Sequence, residues 1–426
     1  MDRIEIVTSK LRVRPSDLGL ILEVPFELSS GFESLSIEVV GDLPERTTLD
    51  LGLADPSRIR GWSGGVRRSI ELSHYCATPG YLYGELPSGR WTVLLSPYEI
   101  GNPFEIDVRV EGKLYQPRWL KGDLHVHSIH SDGLWSLPDL IRVANEIGLD
   151  LLALTDHNTV SQNVEAEKLG YFKDEVQLLP AMEWTTRRGH ANLFGLCDPL
   201  PDWRVADDRE FASKVKEATS RGALMSVNHP FDDFALGLSW DWTYVGVGCV
   251  EIWNGPWRQS CESARIMWEK SLCEGRKLVA LGGSDVHGPS DWVKLGSPVT
   301  WIYTTSPGIS GVISALKNGA VYLTRDMDEV TLGDASTVPG STSADGWVTV
   351  VLKGLSIGYR IDVICDGKCI ESHLSKGLSF EARIKMPAEA KYLRTEVYRY
   401  DKTFDVWLPL LITNPIWYQS LDVNYE

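Results

Sequence analysis

The sequence predicts an α/β core flanked by two β-rich regions, and three observations carry that reading. Between Trp119 and about Leu316, strand-like runs alternate with helix-like ones. The strand-like runs there, such as LDLLALTD and KLVALGGSD, are apolar throughout, as in strands buried on both faces. Before Pro117 and after Arg325 the runs are short, many of them alternating, and set apart by turn residues.

Residues 1–117 contain LGLILEVPFEL, SLSIEVVG, RWTVLLSPYEI and FEIDVRVEG, with Gly, Pro, Asn or Asp clusters between them. Such spacing suits a small β-sandwich. In residues 118–325, GDLHVHS reads as a strand and LPDLIRVANEIG as a helix with a Ser136 cap and Pro138 in its first turn. LDLLALTD is a short buried strand ahead of a helix-like run from Ser161 to Leu169. VQLLPAMEW, HANLFGL, ALMSVNH, VGCVEIW and KLVALGGSD continue the strands, with ESARIMWEKSLCEG as an intervening helix. That alternation means a parallel sheet or barrel. Residues 326–426, with GWVTVVLKG, YRIDVICDG, SFEARIKM, YLRTEVYRY and PLLITNPIWY, read as a second β-rich region.

Composition bounds the function. A chain of 426 residues exceeds one ordinary domain. A net charge of −16, from 42 basic and 58 acidic residues, argues against long nucleic acid as the partner, because phosphate contacts need clustered Lys and Arg. No run is long and apolar enough to span a membrane, and the amino terminus shows no signal peptide. Seven cysteines without paired metal spacing favour reduced thiols and a cytoplasmic location.

Seven of the nine histidines lie between His125 and His287, at the ends of the predicted strands, the edge where α/β barrels assemble their sites. His125 and His127, two apart on a strand, point to one face. Asp285 and His287 repeat that spacing after Gly282 and Gly283, which let the backbone bend or approach closely. Asp132 sits in an SDG turn that can carry its carboxylate back over a strand end. His157 ends LLALTDHN, with Asp156 beside it suited to orienting an imidazole. Glu183 ends LLPAMEW, where a carboxylate can bridge two cations; His190 opens HANLFG, and His229 precedes Pro230. Singly, each residue also reads as an ordinary turn or core polar group. Together they make six imidazoles and three carboxylates with no thiolate, a donor set for Zn, Mn or Fe.

The ordered segments GDLHVHSIHSDG, LALTDHN, PAMEW with GHANLFG, VNHP and GGSDVHG resemble the PHP (polymerase and histidinol phosphatase) superfamily of metallohydrolases. VEIWNGPW and LGSPVTWIY look like its carbaryl hydrolase-like branch. The resemblance implies a distorted (β/α)7 barrel of PHP type holding two or three divalent metal ions. It implies a first metal on His125, His127, Glu183 and Asp285, and a second shared by Glu183 with His190 and His229. A third would rest on Asp132, His157 and His287.

The function expected is that of a metal-dependent hydrolase, a phosphoesterase whose metal-bridging hydroxide cleaves a small organic phosphate mono- or diester. A leaving alkoxide is expected to be stabilised by a metal or protonated through Asp156 or His130, and Arg187 and Arg188, after Glu183, to grip phosphate, a solvated loop being the plain alternative. Asn254 and Trp253 are candidate substrate contacts. Trp135, Trp184, Trp253, Trp257 and Trp292 offer core packing or walls for an aryl or sugar-like group. Two alternatives stay open: a carbamate or amide hydrolase on the same cluster, and a non-catalytic, metal-stabilised binding protein. The expected partner is a small-molecule substrate, with homo-oligomer formation through the β regions left open.

Overall fold

Local sequence signals set the elements one by one. At Leu137–Ile147, Ser136 Oγ accepts from the Asp139 N–H, proline occupies the first turn, and Gly148 closes the helix in the left-handed region. Leu137, Leu140, Ile141 and Ala144 then fall on one buried face. In Gln259–Cys273 the spacing of Cys261, Ala264, Trp268 and Leu272 does the same, and this face packs on strand Cys249–Asn254. The Trp268 indole N–H donates to the Leu278 carbonyl at 2.8 Å.

The computed structural model of the protein describes residues 3–169, 176–235, 237–327 and 329–418. The fold is mixed α/β and rich in strands, with five α-helices among the described residues. Two units can be separated. Of the described residues, the first holds those up to Pro117 together with Thr305–Gly311, and the second holds the rest.

In the first unit, two four-stranded antiparallel sheets share one core. One sheet contains Ile4–Val13, Phe104–Leu114, Phe32–Val40 and Ser69–Ser73. The other contains Leu22–Leu28, Gly89–Tyr98, Thr48–Ala54 and Ile59–Ser63. Alternation selects the inner face: Phe104, Ile106, Val108 and Val110 are buried, whereas Glu105 and Arg109 point outward.

In the second unit, seven strands pair in chain order: Arg118–Val126, Leu151–Leu154, Gln177–Thr186, Gly189–Phe194, Leu224–Val227, Cys249–Asn254 and Val279–Gly283. The backbone after the seventh returns to the first. Asp285 N–H donates to His125 O at 2.8 Å and His127 N–H to Val286 O at 3.0 Å.

The connections depart from the expected one-helix-per-strand alternation. Gly189–Phe194 runs antiparallel to both Gln177–Thr186 and Leu224–Val227. The reason is local: Arg187 and Arg188 form a two-residue turn before Gly189 at φ +114°, and so short a link can only reverse the chain. No described residue between Leu224–Val227 and Cys249–Asn254 is in an α-helix.

Arg118–Val126 also pairs with Val299–Thr304, which leads through Val321–Thr324 to the C-terminal strand Val406–Thr413. The same sheet thus continues into Tyr392–Asp401, Arg360–Cys365 and Lys368–Leu374. Residues 419–426, within the expected second β-rich region, lie outside the described residues. All seven cysteines are free, and no described helix is long and apolar enough to cross a membrane.

Candidate metal centre

The edge that closes the seven strands gathers the polar residues. His125 lies in Arg118–Val126 and His127 one residue beyond it, while Glu183 lies in Gln177–Thr186. His157, His229, Asp285 and His287 follow the ends of parallel strands. His190 reaches the same edge because its strand is antiparallel, so that edge meets its start. His229 (φ +27°) and Asp285 (φ +57°) hold left-handed backbone conformations that side-chain-bearing residues rarely adopt. Gly283 is needed beside them: a Cβ there would stand 2.4 Å from His125 Cβ.

Three carboxylates face the six imidazoles. Glu183 lies within 3.5 Å of ring nitrogens of five histidines: His125 (3.3 Å), His127 (3.5 Å), His157 (2.8 Å), His190 (3.2 Å) and His229 (3.5 Å). Asp285 Oδ1 faces Nε2 of His125 at 3.3 Å and of His127 at 3.1 Å. Asp132 faces His157 at 3.6 Å and His287 at 3.4 Å. Their donor atoms form four overlapping groups, each within 4.8 Å: His125, His127 and Asp285; His125, Glu183 and His229; His157, Glu183 and His190; His127, Asp132, His157 and His287. His157 therefore belongs with Glu183 as well as with Asp132, a sharing that the linear pattern did not contain. Burial grades across the cluster. His125, His127 and Glu183 are buried, while the Asp132 side chain is 59% exposed.

Charge is unevenly placed. Burial opposes protonation of His125, yet the Asp285, Glu251 and Glu183 carboxylates hold its imidazole well above the ordinary value. Burial likewise opposes ionisation of Glu183 and Asp285, but neighbouring histidines, His125 first, hold both well below the usual carboxylate range. His157 and His229 are raised against the pull of burial, whereas burial wins at His127 and lowers it.

A cation fits this donor set. His125 Nε2, His127 Nε2 and Glu183 Oε2 are buried and make no hydrogen bond, and both rings stand within 3.5 Å of the Glu183 carboxylate. Buried polar atoms left in that state are costly, and a cation among them would satisfy imidazole and carboxylate donors together. Nitrogen and oxygen donors from strand ends suit a divalent ion.

The other expected site residues do not line the cleft. Asp156 accepts from Ser128 N–H (2.9 Å), Ser128 Oγ and Ser131 Oγ (2.8 Å), so it fixes the loop after His127. His130 is held by Ser161 Oγ at 2.8 Å and Glu165 at 2.7 Å. Arg188 pairs with Asp208 and Asp241 and stacks on Trp242, and Arg187 is exposed; as the tip of the hairpin, neither lines the cleft. Trp253 is 1% exposed and packs edge-on to Trp257, so it is a core residue. Asn254 bonds to Glu251 at 3.1 Å and to Asp285 at 3.3 Å.

A cleft of about 980 Å³ opens over the cluster, with Asp132, His157, Glu183, His190, His229, Asp285 and His287 on its floor. Phe231, Phe234 and Trp292 stand at its exposed rim, and Arg258 lines its wall, bonded to Asn254 and Asp232. Sequence reasoning passed over Arg258, Glu251 and Asp123. For the two acids a signal existed: each is a lone carboxylate inside an apolar strand, CVEIWN or GDLHV. Asp123 accepts backbone N–H groups of Ser284 (2.9 Å) and Gly296 (2.8 Å), tying the first strand to the turn carrying Asp285.

No family model matches the chain. An uncharacterized protein of Methanocaldococcus jannaschii is 28% identical over 146 residues, covering 32% of this chain and 82% of that protein. Among solved structures, a two-domain protein of Bacteroides vulgatus containing a predicted PHP-like metal-dependent phosphoesterase is 20% identical. The match covers 70% of this chain and 96% of that one, with a TM-score of 0.42. An amidohydrolase from Chromobacterium violaceum, with bound sulfate and no metal, is 16% identical over 49% of this chain and 98% of its own, with a TM-score of 0.31. Each is a similarity at low identity, and the chemistry of the site rests on the residues themselves.

Proposed function

We propose that the chain is a metal-dependent hydrolase of a small organic phosphate ester. The observation that carries this reading is the convergence of buried, unpartnered donor atoms from His125, His127 and Glu183 beneath an open cleft. His125, His127, Glu183 and Asp285 would hold one cation, and Glu183 with His190 and His229 a second. Asp132, His157 and His287 would hold a third at the exposed end. Bound divalent ions supply Lewis-acid polarisation of an ester oxygen and activation of water near neutral pH.

The chain's own residues supply the rest. Arg258, positioned by Asn254 and Asp232, is the guanidinium placed to grip a non-bridging phosphate oxygen. Phe231, Phe234 and Trp292 give the leaving group an apolar surface and narrow the access of water. Asp156 holds the backbone of Ser128, and through it the loop that presents Asp132.

Release of p-nitrophenol from p-nitrophenyl phosphate and its bis ester by manganese-loaded protein tests this, with His127→Ala prepared identically. Turnover lost in the variant supports the reading. Turnover of an aryl carbamate with neither phosphate ester cleaved would replace it by carbamate hydrolysis on the same cluster.

A further inference from the structure

We infer that Glu251, buried and outside the candidate ligand set, is a positioning residue that sets how His125 and Asp285 meet a metal ion. The inference rests on the cluster holding cations, as proposed above. Glu251 is 4% exposed, in the middle of the apolar strand Cys249–Asn254. One carboxylate oxygen lies 3.0 Å from His125 Nδ1, and the other accepts from the His229 backbone N–H at 2.9 Å and from Asn254 Nδ2 at 3.1 Å. A carboxylate only accepts, so His125 Nδ1 carries the hydrogen toward Glu251. With a cation bound, Nε2 would present its lone pair to the site that Glu183 and Asp285 also face.

Three features show that the arrangement is built rather than incidental. Gly283 leaves the space the pair occupies, since a Cβ there would sit 3.0 Å from Glu251 Oε1. Asn254 spans Glu251 and Asp285 with a single amide nitrogen, so the carboxylate that orients the ring also locates a second ligand. The bond to the His229 backbone holds that residue in its left-handed conformation, so three ligands from three strand ends are referred to one buried group. A carboxylate on the far nitrogen of a ligating imidazole raises its basicity and fixes its ring, and losing one costs ten- to hundred-fold in metal affinity.

Chelator competition with Zn²⁺ on the full chain tests this in wild type, Glu251→Gln and Asn254→Ala, alongside the visible spectrum of the Co²⁺ forms and melting of the metal-free proteins. Glu251→Gln is expected to weaken the tightest-bound ion by about ten- to hundred-fold and to alter the Co²⁺ spectrum. Asn254→Ala should do so more weakly, and serves alone if Glu251→Gln does not fold. A variant that melts lower without metal yet binds Zn²⁺ like wild type would make Glu251 a structural group only and overturn the inference. Wild type that binds no divalent ion would overturn the proposed function as well, which separates the two failures.

Discussion

Arg258 and Arg188 carry the same charge into different surroundings. Arg188 is paired with Asp208 and Asp241 over the face of Trp242 and does not line the cleft, whereas Arg258, itself paired with Asp232 and bonded to Asn254, does. Charge-assisted hydrogen bonds are worth about 1.5–3 kcal/mol, so Arg258→Ala is expected to lower kcat/KM by roughly ten- to hundred-fold. Arg188→Ala should leave it within about twofold, since exposed ion pairs contribute little. Steady-state kinetics on one aryl phosphate distinguishes the two, and the reverse order would return phosphate gripping to the hairpin. Trp292, 78% exposed at the rim, belongs to the same scale. Trp292→Ala should raise KM for aryl esters more than for methyl phosphate, and equal effects on both would remove it from recognition of the leaving group. The histidines and Asp285 were legible because each stands in or at an end of an apolar run as a polar group that packing does not explain. Arg258 was not, because it sits between Trp257 and a helix start, where an arginine signals nothing.

At the scale of elements, the meeting of strand Val279–Gly283 with Arg118–Val126 decides whether the site assembles. Gly283→Ala puts a methyl 2.4 Å from His125 Cβ. Overpacking of this kind costs about 1–3 kcal/mol. The variant should lose metal affinity together with stability, as read by melting with and without Zn²⁺, and unchanged melting in both states would contradict the close approach. Behind that strand, Trp268 anchors helix Gln259–Cys273. Trp268→Ala is expected to destabilise the second unit by about 3–5 kcal/mol in denaturant unfolding, as large-to-small changes at buried aromatics do. Most of these elements could be read from apolar runs and caps. The direction of Gly189–Phe194 was hidden by HANLFGL itself, which is apolar throughout and does not tell a parallel strand from an antiparallel one. The turn chemistry of TTRRG held the answer.

Across the whole molecule, part of the acid sensitivity should trace to a charge outside the cluster. Glu396 is buried between Arg394 (2.7 Å) and Arg265 (3.2 Å). Burial opposes its ionisation, but the two guanidinium groups win and hold its carboxyl below the ordinary value of 4.5. The unfolded chain therefore binds this proton more readily. The stabilisation is present above pH about 4.5 and is lost as pH falls through the lower folded value. Glu396→Gln should be less stable at neutral pH and lose less on acidification, and parallel stability–pH curves for the two proteins would refute the assignment. Ions bound only to the folded chain also add to stability, by about 4 kcal/mol at a thousandfold excess over Kd. Removing them with a chelator should lower the melting temperature of wild type more than that of His127→Ala.

Alone, the sequence determined the α/β character of the middle stretch, the β character of its flanks, and the nine metal-donor candidates. Apolar periodicity and isolated charges at the ends of apolar runs are properties of neighbouring residues, and neighbours are what a sequence displays. Only the tertiary structure decided which donors stand together, that His157 faces both Glu183 and Asp132, that Arg258 and not Arg188 borders the cleft, and that Glu251 stands behind His125. These depend on contacts between residues as far apart as His125 and Glu251, set by how strands close on one another. No local pattern encodes such a distance.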